Sequence, residues 1–454
     1  MNSNNLHNLK NLVDFGYCIG CGLCVGICKN STSKMILNKY GLYEPKLTSD
    51  CLSCVECNNV CPFGYGVVKP SSELDENQIF EQRYDTSQCD HNDFLGYFRK
   101  CYVGYSSQYR LSGSSGGLAT WLLSYMLQND IIDKVICVTP TGRSDIHFEY
   151  KISSHVEEII SASKSHYYPV HLADLLKMVI EDNHRYSIIG LPCFIKGIRL
   201  AQKVNQNLAK NIQFTIGLFC GGMKSRFFTE YLAGQLGIPK DKIINPKYRI
   251  KHEGPSSQGY YFGLTDPNNL EKNLELNVKK FGDLWGPGYF KPKACDYCDD
   301  VTAEVADISL GDAWIKPYLN DWKGHSIVIV RTELAEQIIT NGIKTKEIIL
   351  EDINPDYIVK SQLSNFNHRR KGLSYRLYWN QKQIVPKKRV NPKKPKNIID
   401  CMIYRLKSKI RERSLEVWYQ VSQNGTNLSK FNNEMFPYIY ILKILNFISK
   451  RLAR

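Results

Sequence analysis

Cys18, Cys21, Cys24 and Cys28 are followed by Cys51, Cys54, Cys57 and Cys61, so C-x2-C-x2-C-x3-C is written twice within 44 residues. Three thiolates at two-residue spacing wrap one corner of an iron–sulfur cube. The fourth cysteine of such a run lies too far along to close the same cube and ligates the other one. The spacing therefore assigns Cys18, Cys21, Cys24 and Cys61 to one 4Fe–4S cluster, and Cys51, Cys54, Cys57 and Cys28 to a second. Zinc sites carry paired C-x-x-C, or Cys with His, at looser spacing. Disulfide frameworks belong to exported chains. The opening residues, MNSNNLHNLKNLVDFGY, contain no apolar export segment, which leads to the expectation of a reducing, cytoplasmic setting.

Pro62 follows the last cysteine, as in the bacterial ferredoxin pattern, and Lys29 stands at the equivalent place in the first run. Such a domain needs about 70 residues, so most of the 454 residues do something else. Hydrophobic residues make up 43% and charged residues 23%, ordinary values for a globular protein. No apolar run reaches the roughly 18 residues that a membrane span needs. The net charge of +15 is uneven: residues 361–454 hold 21 Lys and Arg against 4 Asp and Glu. An argument about an anionic partner therefore applies to the tail alone.

Between these ends, strand, loop and helix alternate. Lys100–Tyr105, Asp133–Thr139, Tyr186–Gly190 and Phe214–Phe219 read as strands; 118–127, Ile195–Val204 and Arg226–Leu236 read as helices. That alternation predicts an α/β fold with parallel strands. Cys193 and Cys220 each lie just past a strand end, so both fall on one edge of the sheet, where such folds put their sites. Residues 246–285 turn to a β pattern. The loop Ser112-Gly113-Ser114-Ser115-Gly116-Gly117 precedes a helix and offers N–H groups and hydroxyls suited to a phosphate. A plain glycine turn would use the same residues. Gly113-x-Ser115-x-Gly117 also fits a hydrolase elbow, but Gln108-Tyr109-Arg110-Leu111 is a poor strand to precede one.

Cys193, Cys220, Cys295 and Cys298 are candidates for a third cluster. Singly, a cysteine after a strand reads as a small buried residue, and a C-x-x-C as a redox dithiol or half a zinc site. Together, downstream of two clusters, they favour a third 4Fe–4S site. Cys89, Cys101, Cys137 and Cys401 show no ligand spacing and read as structural.

Ser114-Ser115-Gly116-Gly117, Ser165-His166-Tyr167, Gly190-Leu191-Pro192-Cys193, Gly217-Leu218-Phe219-Cys220, Cys295-x-x-Cys298 and Ala306-Asp307-Ile308-Ser309-Leu310-Gly311-Asp312 occur in this order. Over residues 1–330 the chain resembles the beta subunit of the coenzyme F420 hydrogenase/dehydrogenase family, with a ferredoxin domain in front. The resemblance implies an FAD held by Ser114, Ser115, Gly116 and Gly117, with Ser165 and Tyr167 in the flavin site. It also implies that Cys193, Cys220, Cys295 and Cys298 ligate a cluster near the flavin. Lys164 stands where relatives often have glycine. The implied activity is an iron–sulfur flavoprotein oxidoreductase linking 4Fe–4S clusters to FAD, and through it to an acceptor that the residues do not name. The implied partner is a redox protein, or a deazaflavin-type or other small electron carrier. An electron-transfer subunit that feeds a separate enzyme, or a surface-glycan accessory protein of the same fold, are the alternatives.

The expected fold class is mixed α+β and α/β. Residues 1–70 form a two-cluster ferredoxin domain, 71–95 a linker, 96–330 the α/β flavin and iron–sulfur domain and 331–384 its C-terminal part. Residues 385–454 form a basic helical tail. Pro386-Lys387-Lys388-Arg389-Val390 reads formally as a nucleic-acid patch, but nothing upstream supports a nucleic-acid partner. Ile399, Met402, Ile403, Leu406 and Ile410, and then Ile441, Ile444, Leu445, Ile448 and Leu452, lie on helical faces among Lys and Arg. Basic amphipathic helices suit peripheral contact with an anionic membrane at its inner face. A helix packed on its own protein with a solvated basic face gives the same pattern.

Overall fold

The structure is a computed structural model and describes residues 9–29, 33–48, 51, 56–68, 74–278, 285–423, 425 and 427–452. Its centre is a sheet of eight strands: β1 Lys100–Ser106, β2 Lys134–Pro140, β3 Phe148–Ser153, β4 Tyr186–Gly190, β5 Ile212–Leu218, β6 Ile308–Asp312, β7 Ser326–Val330 and β8 Ile348–Asp352. They lie in the order β8-β1-β7-β6-β5-β4-β2-β3. Strands β2, β4, β5 and β6 run parallel, with Gly190 of β4 beside Gly217 of β5. The expectation of parallel strands holds for these four alone. The other four join antiparallel. The link from β6 to β7, residues 313–325, contains no α-helix, and a connection without a crossover helix returns the chain antiparallel.

Both faces of the central strands are covered, which is why they read as continuous apolar runs. Trp121 and Leu122 of the helix Leu118–Gln128 pack on one face, against Ile216, Ile308 and Val328. Ile195 and Ile198 of the helix Pro192–Val204 pack on the other, against Ile136, Ile188 and Ile212. The β-rich stretch after residue 243 forms a separate three-stranded antiparallel sheet of Ile244–Ile250, Tyr261–Asp266 and Asn269–Asn277.

The cysteine-rich N-terminal segment shares its core with the body. Leu23 and Val60 pack with Ile195, Ile198 and Leu176. The approach is close: a Cβ on Gly197 would meet Leu23 Cδ1 at 2.0 Å. The Leu172 amide donates to the Cys21 carbonyl at 2.9 Å. Residues expected to form a linker are also built in. Glu76–Glu81 is a helix started by an Asp75–Gln78 capping box, with Glu76, Ile79 and Phe80 buried. Tyr84 donates to Asp307 at 2.6 Å, and Asp307 also accepts from Arg199 and Thr215.

The basic stretch after Val385 is a strap across this junction. The Lys387 amide donates to the Tyr65 carbonyl at 2.8 Å. Lys388 pairs with Asp299 at 3.3 Å, and Arg389 makes a two-pronged pair with Glu304 at 2.5 and 2.6 Å. Glu76 meets Lys196 at 2.8 Å and Arg389 at 3.7 Å. Burial opposes the Glu76 charge, but Lys196, Arg389 and Lys388 together hold its carboxyl well below its ordinary 4.5. A depressed carboxylate stabilises the fold above its unfolded pKa, and that contribution is lost as pH falls through the folded value. Glu76→Gln is therefore expected to cost about 3–5 kcal/mol near neutral pH, because it strands buried cations. The urea midpoint should drop, and the gap to wild type should narrow below about pH 4.5. An unchanged midpoint at pH 7 would count against the strap.

The tail is two antiparallel helices, Ile398–Val421 and Leu428–Leu452. The first is docked. Ile403, Ile410 and Trp418 are buried, Trp418 donates to Glu230 at 2.9 Å and Arg411 pairs with Asp296 at 2.8 Å.

Candidate functional site

A cavity of about 280 Å³ opens at the carboxyl ends of β4 and β5. Its walls come from the loop before the helix Leu118–Gln128, from residues 162–168 and from the turns after β4 and β5. Among the residues expected at a flavin, Ser114, Ser115, Gly117, Ser165 and Tyr167 line it. The Ser165 amide donates to Ser114 Oγ at 2.7 Å, which joins the two motifs into one wall. Ser115 Oγ donates to the His325 carbonyl at 2.6 Å. Gly116 faces the sheet instead. Its amide donates to Ser326 Oγ at 3.0 Å, and a Cβ there would meet the Gly104 carbonyl oxygen at 2.5 Å. Gly117 has φ +79, and its missing Cβ leaves room for the Tyr109 carbonyl, so these glycines close the loop on the body.

Cations surround the loop. Arg249 donates to the Ser114 carbonyl at 3.0 Å and grips Asp312 at 2.8 and 3.1 Å. Lys251 Nζ donates to the carbonyls of Arg110, Ser115 and Lys323, each at 2.6 Å. Burial, with Lys164 and Arg249 nearby, brings Lys251 down to about 7. Aromatic rings complete the walls, with Tyr167 and Trp285 4.8 Å apart edge-on. His166 also lines the cavity. Burial pushes it down to about 4, its Nε2 bonds the Ala162 carbonyl and its buried Nδ1 has no partner.

Lys164 stands at the cavity wall with φ +104, a conformation that favours glycine. Lys164→Gly is expected to raise stability by about 1 kcal/mol by releasing backbone strain, while removing a cation from the wall. Thermal melting should rise and retention of an anionic ligand should fall. Lower stability with unchanged retention would make Lys164 a structural residue only.

Cys220 lines the same cavity. Cys193 lies in the first turn of the helix Pro192–Val204, Cys220 follows β5, Cys295 lies within a short turn at Lys293–Tyr297 and Cys298 directly follows it. The structure brings all four together. Burial raises the Cys193 thiol well above its usual range, with Cys298, Cys220 and Cys295 adding to it. Burial also pushes Cys295 up to about 12. Backbone amides already point at sulfur: Gly222 N–H to Cys220 Sγ and Met223 N–H to Cys295 Sγ, both 3.3 Å. Among the described residues, no three His, Cys, Asp or Glu converge on a point where one ion could sit.

Motif reasoning missed the cations around this quartet. Arg369 is 1% exposed and sits in a π-helical turn, His368–Gly372. Its Nε donates to the Asp300 carbonyl at 3.0 Å, its side chain also bonds Cys298, and its buried Nη1 has no partner among the described residues. Burial works against its charge, but the Cys298, Cys220 and Cys295 thiols keep the guanidinium above its ordinary range. Lys291 is buried beside Cys295 and Cys220. Two buried cations thus stand beside the cysteine quartet. No local sequence signal marks Arg369; a π-helical turn is visible only in the fold.

Several of the N-terminal cysteines lie near one another. Burial pushes Cys18 up to about 12 and Cys21 up to about 11. After burial, Cys24 is raised by Cys21, Cys18, Cys57 and Cys61, and Cys61 by Cys21 and Cys18. Cys24 thus has Cys18, Cys21 and Cys61 of its own expected set as neighbours, and Cys57 of the other. Cys28, Cys51 and Cys57 belong to the other expected set, and Cys54 lies outside the described residues. Cys21 also acts on Cys193, so the first set adjoins the quartet at the cavity. The cause is the Gly197 contact, because one helix carries Cys193 and receives Leu23. Of the remaining cysteines, Cys101, Cys137 and Cys401 are buried and Cys89 is half-buried.

Residues 101–177 match the family model for the N-terminal part of the coenzyme F420 hydrogenase/dehydrogenase beta subunit, and residues 183–356 the model for its C terminus. A Methanocaldococcus jannaschii protein named coenzyme F420-dependent sulfite reductase is 28% identical over 76% of this chain and 49% of its own length. The chain thus spans about half of that relative. One of the subunits of the F(420)H(2) dehydrogenase of Methanosarcina mazei is 21% identical over 80% of this chain and 92% of its own. A chain of the F420-reducing [NiFe] hydrogenase complex from Methanosarcina barkeri superposes with a TM-score of 0.49 at 17% identity, covering 65% of this chain and 98% of that one.

Proposed function

Because the chain belongs to the family of coenzyme F420 hydrogenase/dehydrogenase beta subunits, we propose that it is an iron–sulfur flavoprotein oxidoreductase. One observation carries the reading: Cys220 belongs both to the cysteine quartet and to the wall of the cavity. A redox cofactor in the cavity would lie against a cluster held by Cys193, Cys220, Cys295 and Cys298. Cys18, Cys21, Cys24 and Cys61 would hold the next cluster, and Cys28, Cys51, Cys54 and Cys57 the outermost. A flavin supplies the exchange between one-electron and two-electron chemistry. FAD is the form proposed, with its phosphates against Ser114 and Ser115 and the cations Lys164 and Arg249 close by.

The residues have distinct tasks in this reading. Tyr167 and Trp285 enclose a flat ring. Asp312 holds Arg249, and Arg249 with Lys251 ties down the loop carbonyls, so that its hydroxyls and N–H groups keep their positions. Leu23, set against Gly197, holds the N-terminal cysteines near Cys193. The acceptor proposed is a deazaflavin such as F420 or another small carrier, following the names of the relatives.

A second reading is an electron-transfer subunit that feeds a separate enzyme. It is favoured by relatives named as subunits of larger enzymes. Anaerobic turnover of the isolated chain separates the two. With excess reduced viologen as the electron donor, reduction of many equivalents of added F420 per chain, well above a protein-free control, supports the oxidoreductase. A reduced chain that reacts only once, and only with a partner protein, supports the second reading.

A further inference from the structure

We propose that the outward face of the helix Leu428–Leu452 docks on an anionic lipid bilayer. The helix is apolar on two sides. Phe431, Met435, Leu442 and Leu445 are buried in the core shared with Trp418 and Phe290. On the other side Phe436, Tyr440, Phe447 and Leu452 are 64, 56, 56 and 66% exposed, and Ile444 lies between them. Phe436, Tyr440, Ile444 and Phe447 recur every three or four residues and form one stripe along the helix, with Leu452 exposed at its end. Of the apolar face read from the sequence, the structure buries Leu445 and leaves Ile441, Ile444, Ile448 and Leu452 exposed, with Phe436, Tyr440 and Phe447 beside them.

The charge beside the stripe selects the occupant. Lys443, Lys450 and Arg451 lie on the same helix, and Met435 to Leu452 contains no Asp or Glu. The Arg451 guanidinium lies over the Phe447 ring at 4.4 Å, so charge and apolar face are adjacent. Ser449 donates to Asp400 at 3.0 Å, which brings the start of the neighbouring helix alongside, with Ile398 and Met402 exposed. A second copy placed on this face would set lysines and arginines against their like. An anionic lipid surface accepts both the aromatic stripe and the cations. Among the described residues no helix is long and apolar enough to cross a membrane, so the contact is in the plane of the surface.

The inference does not depend on the redox reading. The test is co-sedimentation of the anaerobically purified full chain with phosphatidylcholine vesicles, with and without one part in four phosphatidylserine. Binding is expected to the phosphatidylserine vesicles and to weaken several-fold as salt rises, because exposed charges are screened. Phe436→Ser with Phe447→Ser and Leu452→Ser should cut the bound fraction by about tenfold. Lys450→Gln with Arg451→Gln, which leaves the packing untouched, should do so on the order of tenfold as well. Iron and flavin content are read alongside to show that each variant is folded. Wild-type protein that stays in the supernatant, or either variant sedimenting as fully as wild type, overturns the proposal. So does a wild-type dimer that the serine variant makes monomeric without any vesicle binding; the face then joins two copies.

Discussion

A Cys193→Ala variant is expected to hold about eight iron atoms per chain where wild type holds about twelve, since one of three four-iron sites loses a ligand. Flavin reduction from the N-terminal clusters should slow to the rate of a chain without that connection. Cys193 has this weight because of its place. It opens the helix Pro192–Val204, acts on Cys220, Cys295 and Cys298, and is the member of the quartet that also feels Cys21. The same helix packs Gly197 against Leu23, so an intact fold holds the two cysteine groups at a fixed separation. The check is iron and sulfide determination, with rapid-mixing measurement of flavin bleaching by dithionite. Twelve irons and unchanged bleaching in the variant would remove Cys193 from the relay.

Arg369→Gln should leave the iron content intact and lower the reduction potential of the cluster beside the cavity. Reduction adds a negative charge, and a buried guanidinium next to three of the four thiols favours it. Coulomb attraction over a few ångströms at an effective dielectric near 20 is worth about 1–3 kcal/mol. For a one-electron couple that is on the order of 50–130 mV. Glutamine keeps most of the volume and one donor, so the charge alone is tested. Redox titration followed by electron paramagnetic resonance reads the shift directly. An unchanged potential would make Arg369 a packing residue whose idle Nη1 has no redox role.

Much of this site was legible in the chain. The two cysteine runs, the strand ends before Cys193 and Cys220 and the C-x-x-C at Cys295 all follow local rules of spacing and periodicity. The order of elements was legible too, because buried strands and helices have different apolar periods. What escaped depends on partners distant in sequence. Lys388 and Arg389 resemble a solvated basic run until Asp299, Glu304 and Glu76 are placed beside them. Residues 74–95 look polar enough for a linker, yet Glu76 and Phe80 are buried. The periodicity of the last helix identifies apolar sides without saying which one meets the core. The direction of β7 and β8 depends on how their connections return, and residue type does not encode that. Lys164 is the converse case, a motif departure whose meaning appears only with its φ of +104.

Purifying the full chain without oxygen and measuring iron, sulfide, zinc and flavin together tests the iron–sulfur flavoprotein reading most directly. About twelve irons and as many sulfides per chain are expected, with negligible zinc and one non-covalent FAD released on denaturation. Zinc in place of iron, or a colourless protein with no flavin at full iron loading, would contradict that reading.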